Sequence, residues 1–446
     1  MECLAARRRM RTVPPRRTHG CTVAPREARE IRAGVASMLF PPCCFCAIED
    51  VACPILARRK TDMNSLEGAF RSLFEINMGM RPYCSAEAGE WERVLVFSDT
   101  IRDDETLADI DRDRRLCLNA TARAAAEFAG SCWGNACFVE FPATSASGVE
   151  PPETLWRATF GEAAVDELVR AGLLEKLLAK QATDDDLSRA RRIVLDLRQD
   201  AADVIIAMSN NSTSHTRYRA LANDTGARFA SLPHFDPDMF HGSMTVDWQA
   251  LAARTARLAQ AVNRADWLLV RTPNGTDMRI SKRGRNAEGD DGLLIAPGSF
   301  GNLPAGEVYL APLEGESSGV MVIEWGPTRK LEQPLCCTVE RGVVIAMEGD
   351  EQQRGMLEAR FAENATCRNI AELGIGTNDR ASRPDNVLEA EKILGTIHIA
   401  LGDNTGFGGT VSAPFHEDYV FYRPTLTAVM ADGSEMVIID DGNLLV

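Results

Sequence analysis

The chain has 446 residues and 45% hydrophobic content, enough for two cored domains of ~100–200 residues each and a tail. Its 49 Lys and Arg against 64 Asp and Glu leave a net charge of −15, which argues against non-specific nucleic-acid binding. No apolar run approaches the ~20 residues of a membrane helix, so a soluble, cytoplasmic protein with no membrane partner is expected.

The first 62 residues stand apart. They hold 12 Lys/Arg and 6 Asp/Glu, a local charge of +6 that leaves −21 on the remainder. Six of the 13 cysteines also fall there: Cys3, Cys21, Cys43, Cys44, Cys46 and Cys53. The others are scattered without C-x-x-C spacing, which predicts free thiols in a reducing compartment. No second ligand pair follows Cys43–Cys53 at finger-like spacing, so no zinc site is expected there. The segment is Arg-rich, broken by Pro and without periodicity. It reads as a disordered extension, upstream of a natural start at Met63.

From Met63 the chain reads as folded protein. Leu66, Phe70, Leu73, Phe74 and Met78 have helical spacing over Ser65–Met80. A buried strand over Arg93–Ser98, a helix over Leu107–Phe128 and a strand over Ala136–Phe141 form one βαβ unit, the signature of a parallel sheet. A helical insert follows over Pro152–Arg198. Strands at Asp203–Met208, Ala227–Ser231 and Asp266–Val270 then alternate with helices at Thr213–Thr225 and Trp248–Val262.

After Arg271 short strands punctuated by Gly, Asn and Pro take over: Asp277–Ser281, Gly306–Ala311, Val320–Glu324, Gln333–Val339 and Val343–Glu348, with a hairpin turn at Val339–Val343. A short helix near Met356–Glu363 interrupts them. The expected fold is therefore an α/β protein: a parallel-sheet domain over residues 63–265, then a β-rich α+β metal-binding domain over 266–446.

Four stretches of the second domain set ionisable groups into apolar strands. In Leu303-Pro-Ala-Gly-Glu-Val-Tyr-Leu-Ala-Pro312, Glu307 shares a face with Tyr309. In Ile370-Ala-Glu-Leu-Gly-Ile-Gly376, Glu372 is a lone carboxylate among residues that favour burial. His398 points away from Ile397, Ile399 and Leu401 in Gly395-Thr-Ile-His-Ile-Ala-Leu-Gly402. In Phe415-His-Glu-Asp-Tyr-Val420, His416 and Asp418 are two apart, so a strand directs both to one face while Glu417 turns away.

Only six histidines occur in the chain. Unpaired buried carboxylates are costly, and a shared divalent metal reconciles this set most simply. Taken singly, Glu307 also fits an ion-paired edge residue, and His398 a hydrogen-bonded core histidine. The His416/Asp418 pair is the stronger signal, and spacing alone does not join the four stretches. In the first domain Asn210-Asn-Ser-Thr-Ser-His215 follows a strand, where α/β folds place ligands. The same residue types are ordinary helix caps, although His215 would reach substrate if the domains face each other.

From about Met63 to Val446 the sequence resembles the metallo-aminopeptidase family that includes aminopeptidases T and S. The resemblance is carried by Asn274-Gly-Thr-Asp277, Gly301-Asn-Leu-Pro-Ala-Gly-Glu-Val-Tyr309, Gly374-Ile-Gly-Thr-Asn378, Gly395-Thr-Ile-His-Ile-Ala-Leu-Gly-Asp-Asn404 and His416-x-Asp418. It implies two divalent ions (Zn, Co or Mn) bound by two Glu, two His, one Asp and one Tyr. By motif the ligands here are Glu307, Glu372, His398, His416 and Asp418, with Glu372 the bridging ligand or general base.

The family's tyrosine falls seven residues beyond the first metal histidine, where this chain has Thr405. Tyr309, Tyr419 and Tyr422 are the candidates to replace it. The implied function is a homodimeric aminopeptidase that hydrolyses N-terminal residues from small peptides with metal-activated water. Ring-cleaving 2,5-dihydroxypyridine dioxygenases resemble the same family and use one ferrous ion held by two His and one carboxylate. His398, His416 and Asp418 suffice for that alternative, and the absent tyrosine fits a single ion.

Overall fold

Unbroken apolar runs, rather than alternating ones, mark strands buried on both faces. In β1 (Val94–Thr100), Val94 and Val96 enter one core while Leu95 and Phe97 enter another. With β2 (Ala136–Pro142), β3 (Val204–Ala207) and β4 (Arg228–Ser231) it forms a parallel sheet in the order β2-β1-β3-β4. The structure is a computed structural model that describes residues 63–81, 92–327 and 329–446, which lie within one compact unit. The extension expected over residues 1–62 lies outside the described residues.

The helix Asp109–Trp133 connects β1 to β2 and covers one face of the sheet through Leu118, Ala122 and Ala125. The expected insert supplies helices Glu153–Phe160, Glu162–Arg170, Leu174–Leu178 and Asp184–Asp196. Its Trp156, Phe160 and Leu168 pack on Leu95, Phe97 and Ile205 of the opposite face. The first helix runs Met63–Arg71 and continues as a π-helical segment, Ser72–Asn77, that buries Leu73 and Phe74.

A different architecture begins at β5 (Trp267–Arg271). It continues through β6 (Asp277–Ser281), β7 (Glu288–Asp290), β8 (Phe300–Asn302), β9 (Glu307–Leu310), β10 (Ser318–Trp325), β11 (Lys330–Glu340) and β12 (Val343–Glu348). β13 (Ile370–Gly376), β14 (Ile397–Gly402), β15 (His416–Phe421), β16 (Thr425–Val429), β17 (Glu435–Asp440) and β18 (Asn443–Leu444) complete it. One antiparallel sheet has the order β12-β11-β10-β6-β5-β16-β17-β18 and the other β15-β14-β13-β9-β7. β11 and β12 turn through Arg341 and Gly342, both at positive φ, a two-residue loop within the hairpin turn expected at Val339–Val343.

β8 departs from the sequence reading, which has no strand there. It returns to the first sheet and pairs in parallel with β4. Three residues, Phe-Gly-Asn, are too few to show a period, so their strand character comes from the edge they join.

The two antiparallel sheets share one core. Leu268, Val270, Met278 and Ile280 of the larger sheet join Val308, Leu310, Leu373, Ile375, Ile397, Ile399 and Tyr419 of the smaller. Each such side chain, fully buried, contributes about 1.5–3 kcal/mol. Alternation then commits the neighbouring residues of β9, β13, β14 and β15 to the outer face of the smaller sheet, and the candidate ligands are among them.

Among the described residues no helix is long and apolar enough to cross a membrane. Cys137, Cys336, Cys337 and Cys367 are free thiols, as expected.

Candidate metal centre

The outer face of the small sheet is lined with the smallest residues wherever a ligand needs room. Across the ladder Glu307 is opposite Gly376, Glu372 opposite Ala400, and His398 opposite Gly374. His416 is opposite Gly402 and Asp418 opposite Ala400. A Cβ on Gly374 would lie 1.9 Å from His398 Nε2, so the imidazole rests directly on that glycine.

All five sequence-predicted ligands converge here. His398 Nε2 lies 3.2 Å from Glu307 Oε2 and 3.3 Å from Glu372 Oε1. His416 Nε2 lies 3.4 Å from Glu372 Oε2 and 3.7 Å from Asp418 Oδ2. Glu307, Glu372 and His398 form one group able to hold a metal ion, and Glu372, His416 and Asp418 another. Glu372 bridges the two through its separate oxygens.

The environment favours a cation. Burial pushes the Glu372 carboxyl up, but hydrogen bonds from His398 and His416 pull it below its ordinary value. Burial likewise disfavours charge on both histidines, yet Glu307, Glu372 and Asp418 raise His398, and Asp418 and Glu372 raise His416, well above 6.5. Asp418 Oδ1 is buried with no hydrogen-bond partner, a state that a metal ion relieves. His416 Nδ1 donates to the backbone carbonyl of Asp403 at 2.8 Å. That bond fixes the tautomer and leaves Nε2 free to coordinate, the usual support for a metal-binding histidine. The residues therefore fit a divalent ion.

Two of the three tyrosine candidates are otherwise engaged, and the hydroxyl of the third, Tyr422, is buried without a hydrogen-bond partner. Tyr309 donates to Glu288 at 3.4 Å, and Tyr419 bonds Glu417 and Gln353 on the core side of β15. Tyr422 lies beside Trp325. Thr405 belongs to the short helical turn Thr405–Phe407, and its hydroxyl donates to Asp403 at 3.1–3.2 Å. The next residues of this glycine-rich turn do reach the site. Phe407 meets both Tyr309 and the His416 ring edge-to-face, each with centroids 5.9 Å apart.

The loop after β3 carries His215 within electrostatic range of the centre. Asp99, at the end of β1, accepts the backbone N–H groups of Asn210 and Asn211 at 2.8 and 3.1 Å and so anchors it. His215 lies within electrostatic range of His416 and Asp403, and burial and then the charge of His416 lower its basicity.

Three ionisable residues escape the sequence reading. Lys392 is completely buried and joins Glu307 Oε1 at 2.5 Å to Glu391 Oε1 at 2.6 Å. Asp290 of β7 is opposite Glu307. Burial pushes Glu391 up to about 8 and Asp290 up to about 7, in each case against the pull of Lys392. The available signal was Lys392 itself, set among Leu388, Ala390, Ile393 and Leu394; a lysine is fully buried only when paired.

The sequence profile of the 2,5-dihydroxypyridine 5,6-dioxygenase (NicX) family matches residues 169–446, well over half of the chain. The chain belongs to this family of enzymes. No curated protein matches it by sequence. Its fold is similar to that of 2,5-dihydroxypyridine dioxygenase from Pseudomonas putida KT2440, with TM-score 0.58, 17% identity and coverage of 85% of this chain and 96% of the other. It is also similar to wild-type AmpT from Thermus thermophilus, with TM-score 0.52, 14% identity and coverage of 86% and 100%. The resemblance to aminopeptidase T thus holds at the level of fold, and the family match is to the dioxygenases.

Proposed function

We propose that the chain is a single-metal oxygenase that opens the ring of a small, planar, hydroxylated N-heteroaromatic compound of the 2,5-dihydroxypyridine type. The observation that carries this reading is Thr405. The dinuclear aminopeptidase arrangement takes a tyrosine ligand at that position, whereas here the side chain is a threonine whose hydroxyl is used by Asp403. For one ion, His398, His416 and Asp418 are a sufficient set of two imidazoles and a carboxylate.

When bound, a ferrous ion supplies the redox chemistry with dioxygen that side chains lack. Adding both oxygen atoms across one ring bond, which breaks, requires no further reductant. The chain's own residues orient the substrate and handle protons. Phe407 and Tyr309 offer apolar ring surface beside His416 for a flat substrate. His215, whose basicity is lowered, can accept a proton from a ring hydroxyl. Glu372 reaches both histidines and can carry a proton at either of its oxygens.

One observation favours the hydrolase reading: Glu307 converges with Glu372 on His398, so donors for a second ion are present. The two readings part on metal content and on the reaction. The full chain, purified anaerobically, should carry about one iron and take up dioxygen with 2,5-dihydroxypyridine. Two zinc-like ions, reduced by Glu307→Ala and accompanied by hydrolysis of aminoacyl amides, would refute the oxygenase reading.

A further inference from the structure

Lys392 contributes nothing to metal binding directly, because an ammonium has three donors and no lone pair. Yet it is 0% exposed and lies against the ligand cluster. It bonds one oxygen of Glu307 at 2.5 Å, while the other oxygen of Glu307 lies 3.2 Å from His398. Its second bond, 2.6 Å, goes to Glu391. Glu391, His398 and Asp418 form a third group with metal-ligand proximity, immediately beside the two that contain Glu372. Two of the carboxylates in excess of one ion's needs, Glu307 and Glu391, are thus the ones that the lysine holds.

The local structure fixes this position. The backbone of Lys392 accepts from Asn378 N–H at 2.8 Å, and the adjoining Asn378–Ile393 bridge ties the segment alongside β13. Asn378 is itself bonded to the carbonyls of Ser243 and Ala305. The ammonium therefore has little freedom to withdraw. A second divalent ion near Glu307 would displace it from that oxygen and lie against its charge, in a region where water screens little.

We infer that Lys392 is a positioning residue that acts as a built-in monovalent cation: by clamping Glu307 and Glu391 it limits the centre to one divalent ion. This rests on the single-metal reading above. It assigns the cause of that count to a residue that is not a ligand.

The test is metal stoichiometry of the full chain, stripped with chelator and refilled anaerobically with Fe(II) or Zn(II), read by elemental analysis and titration calorimetry. Wild type and Lys392→Arg should bind about one ion, and folded Lys392→Gln about two. A count of one or none in Lys392→Gln overturns the inference while leaving the single-metal reading intact. Two ions in wild type overturn the reading itself, and two in Lys392→Arg overturn the charge argument. Should Lys392→Gln fail to fold, Lys392→Met combined with Glu391→Gln removes one buried charge of each sign and is read by the same counts.

Discussion

Gly374→Ala is the most economical perturbation of the centre, because it adds one carbon and changes no charge. The new Cβ would lie 1.9 Å from His398 Nε2 and 2.0 Å from Cε1, and ordinary contact begins near 3.4 Å. The imidazole must therefore retreat by about 1.5 Å, since β13 and β14 are fixed in register at Gly374↔His398. Overpacking of this kind costs about 1–3 kcal/mol. An off-rotamer His398 would add about 0.5–1.5 kcal/mol. Metal coordination tolerates only about 0.2 Å of error.

The expected metal affinity loss is thus at least about 100-fold, or about 2.7 kcal/mol, from a substitution that removes no ligand. Titration calorimetry measures the affinity and denaturant unfolding the stability. Gly355→Ala is the control. It lies in the helix Glu351–Glu363, its Cβ would meet nothing within 4 Å, and it should stabilise by about 0.5–1 kcal/mol without changing metal binding. Wild-type affinity and stoichiometry in Gly374→Ala would refute the assignment of His398 Nε2 as a ligand.

Metal affinity should rise with pH, because both histidines are held protonated by their carboxylate neighbours when no cation is present. Two displaced protons give a slope approaching about two log units per pH unit, and a flat profile between pH 6 and 8 would contradict this. For the chelated protein the sign reverses. The raised histidines stabilise below the unfolded value of about 6.5 and lose that contribution as pH rises through their folded values. Glu372 and Asp418, both lowered, stabilise above about 4–4.5 and lose it as pH falls. Thermal unfolding in chelator should therefore show maximal stability in mildly acidic buffer, and a steady gain from pH 6 to 8.5 would be inconsistent with the cluster as described. Asp99→Ala should cost about 2 kcal/mol by freeing the Asn210 and Asn211 N–H groups. It should also impair turnover through the His215 loop, with metal stoichiometry unchanged; full activity would separate that loop from catalysis.

Legibility of the fold tracked the length of each pattern. Val94–Phe97 and the alternations of β13 and β14 run long enough for their periods to be counted, and both appear where the sequence places them. The helix expected from Thr213 begins at Arg217, because Asp99 fixes Asn210 and Asn211 and Thr216 caps Arg219 N–H instead. The helix expected near Met356 begins at Glu351, where Asp350 caps Gln353 N–H. The convergence of the five candidate ligands was legible because strand alternation and motif coincide. Lys392 and Asp290 were not, since they reach the centre from a bend and an edge strand that carry no period.

That difference bears on how one scaffold can serve two chemistries. The glycines and alanines opposite each ligand make room for metal ions whichever reaction follows, so they specify a metal face rather than an activity. Five carboxylates, from Glu307, Glu372, Asp418, Glu391 and Asp290, surround that face, and their charge has to be met by some combination of protons, ammonium and metal. Selection between one ion and two then falls to residues outside the shared histidine and carboxylate motif. On the single-metal proposal, Thr405 withholds a ligand, and Lys392 occupies carboxylate oxygens that a second ion would need. The fold is similar to both AmpT and a dioxygenase, so the count of bound ions is the quantity that tests between the two readings.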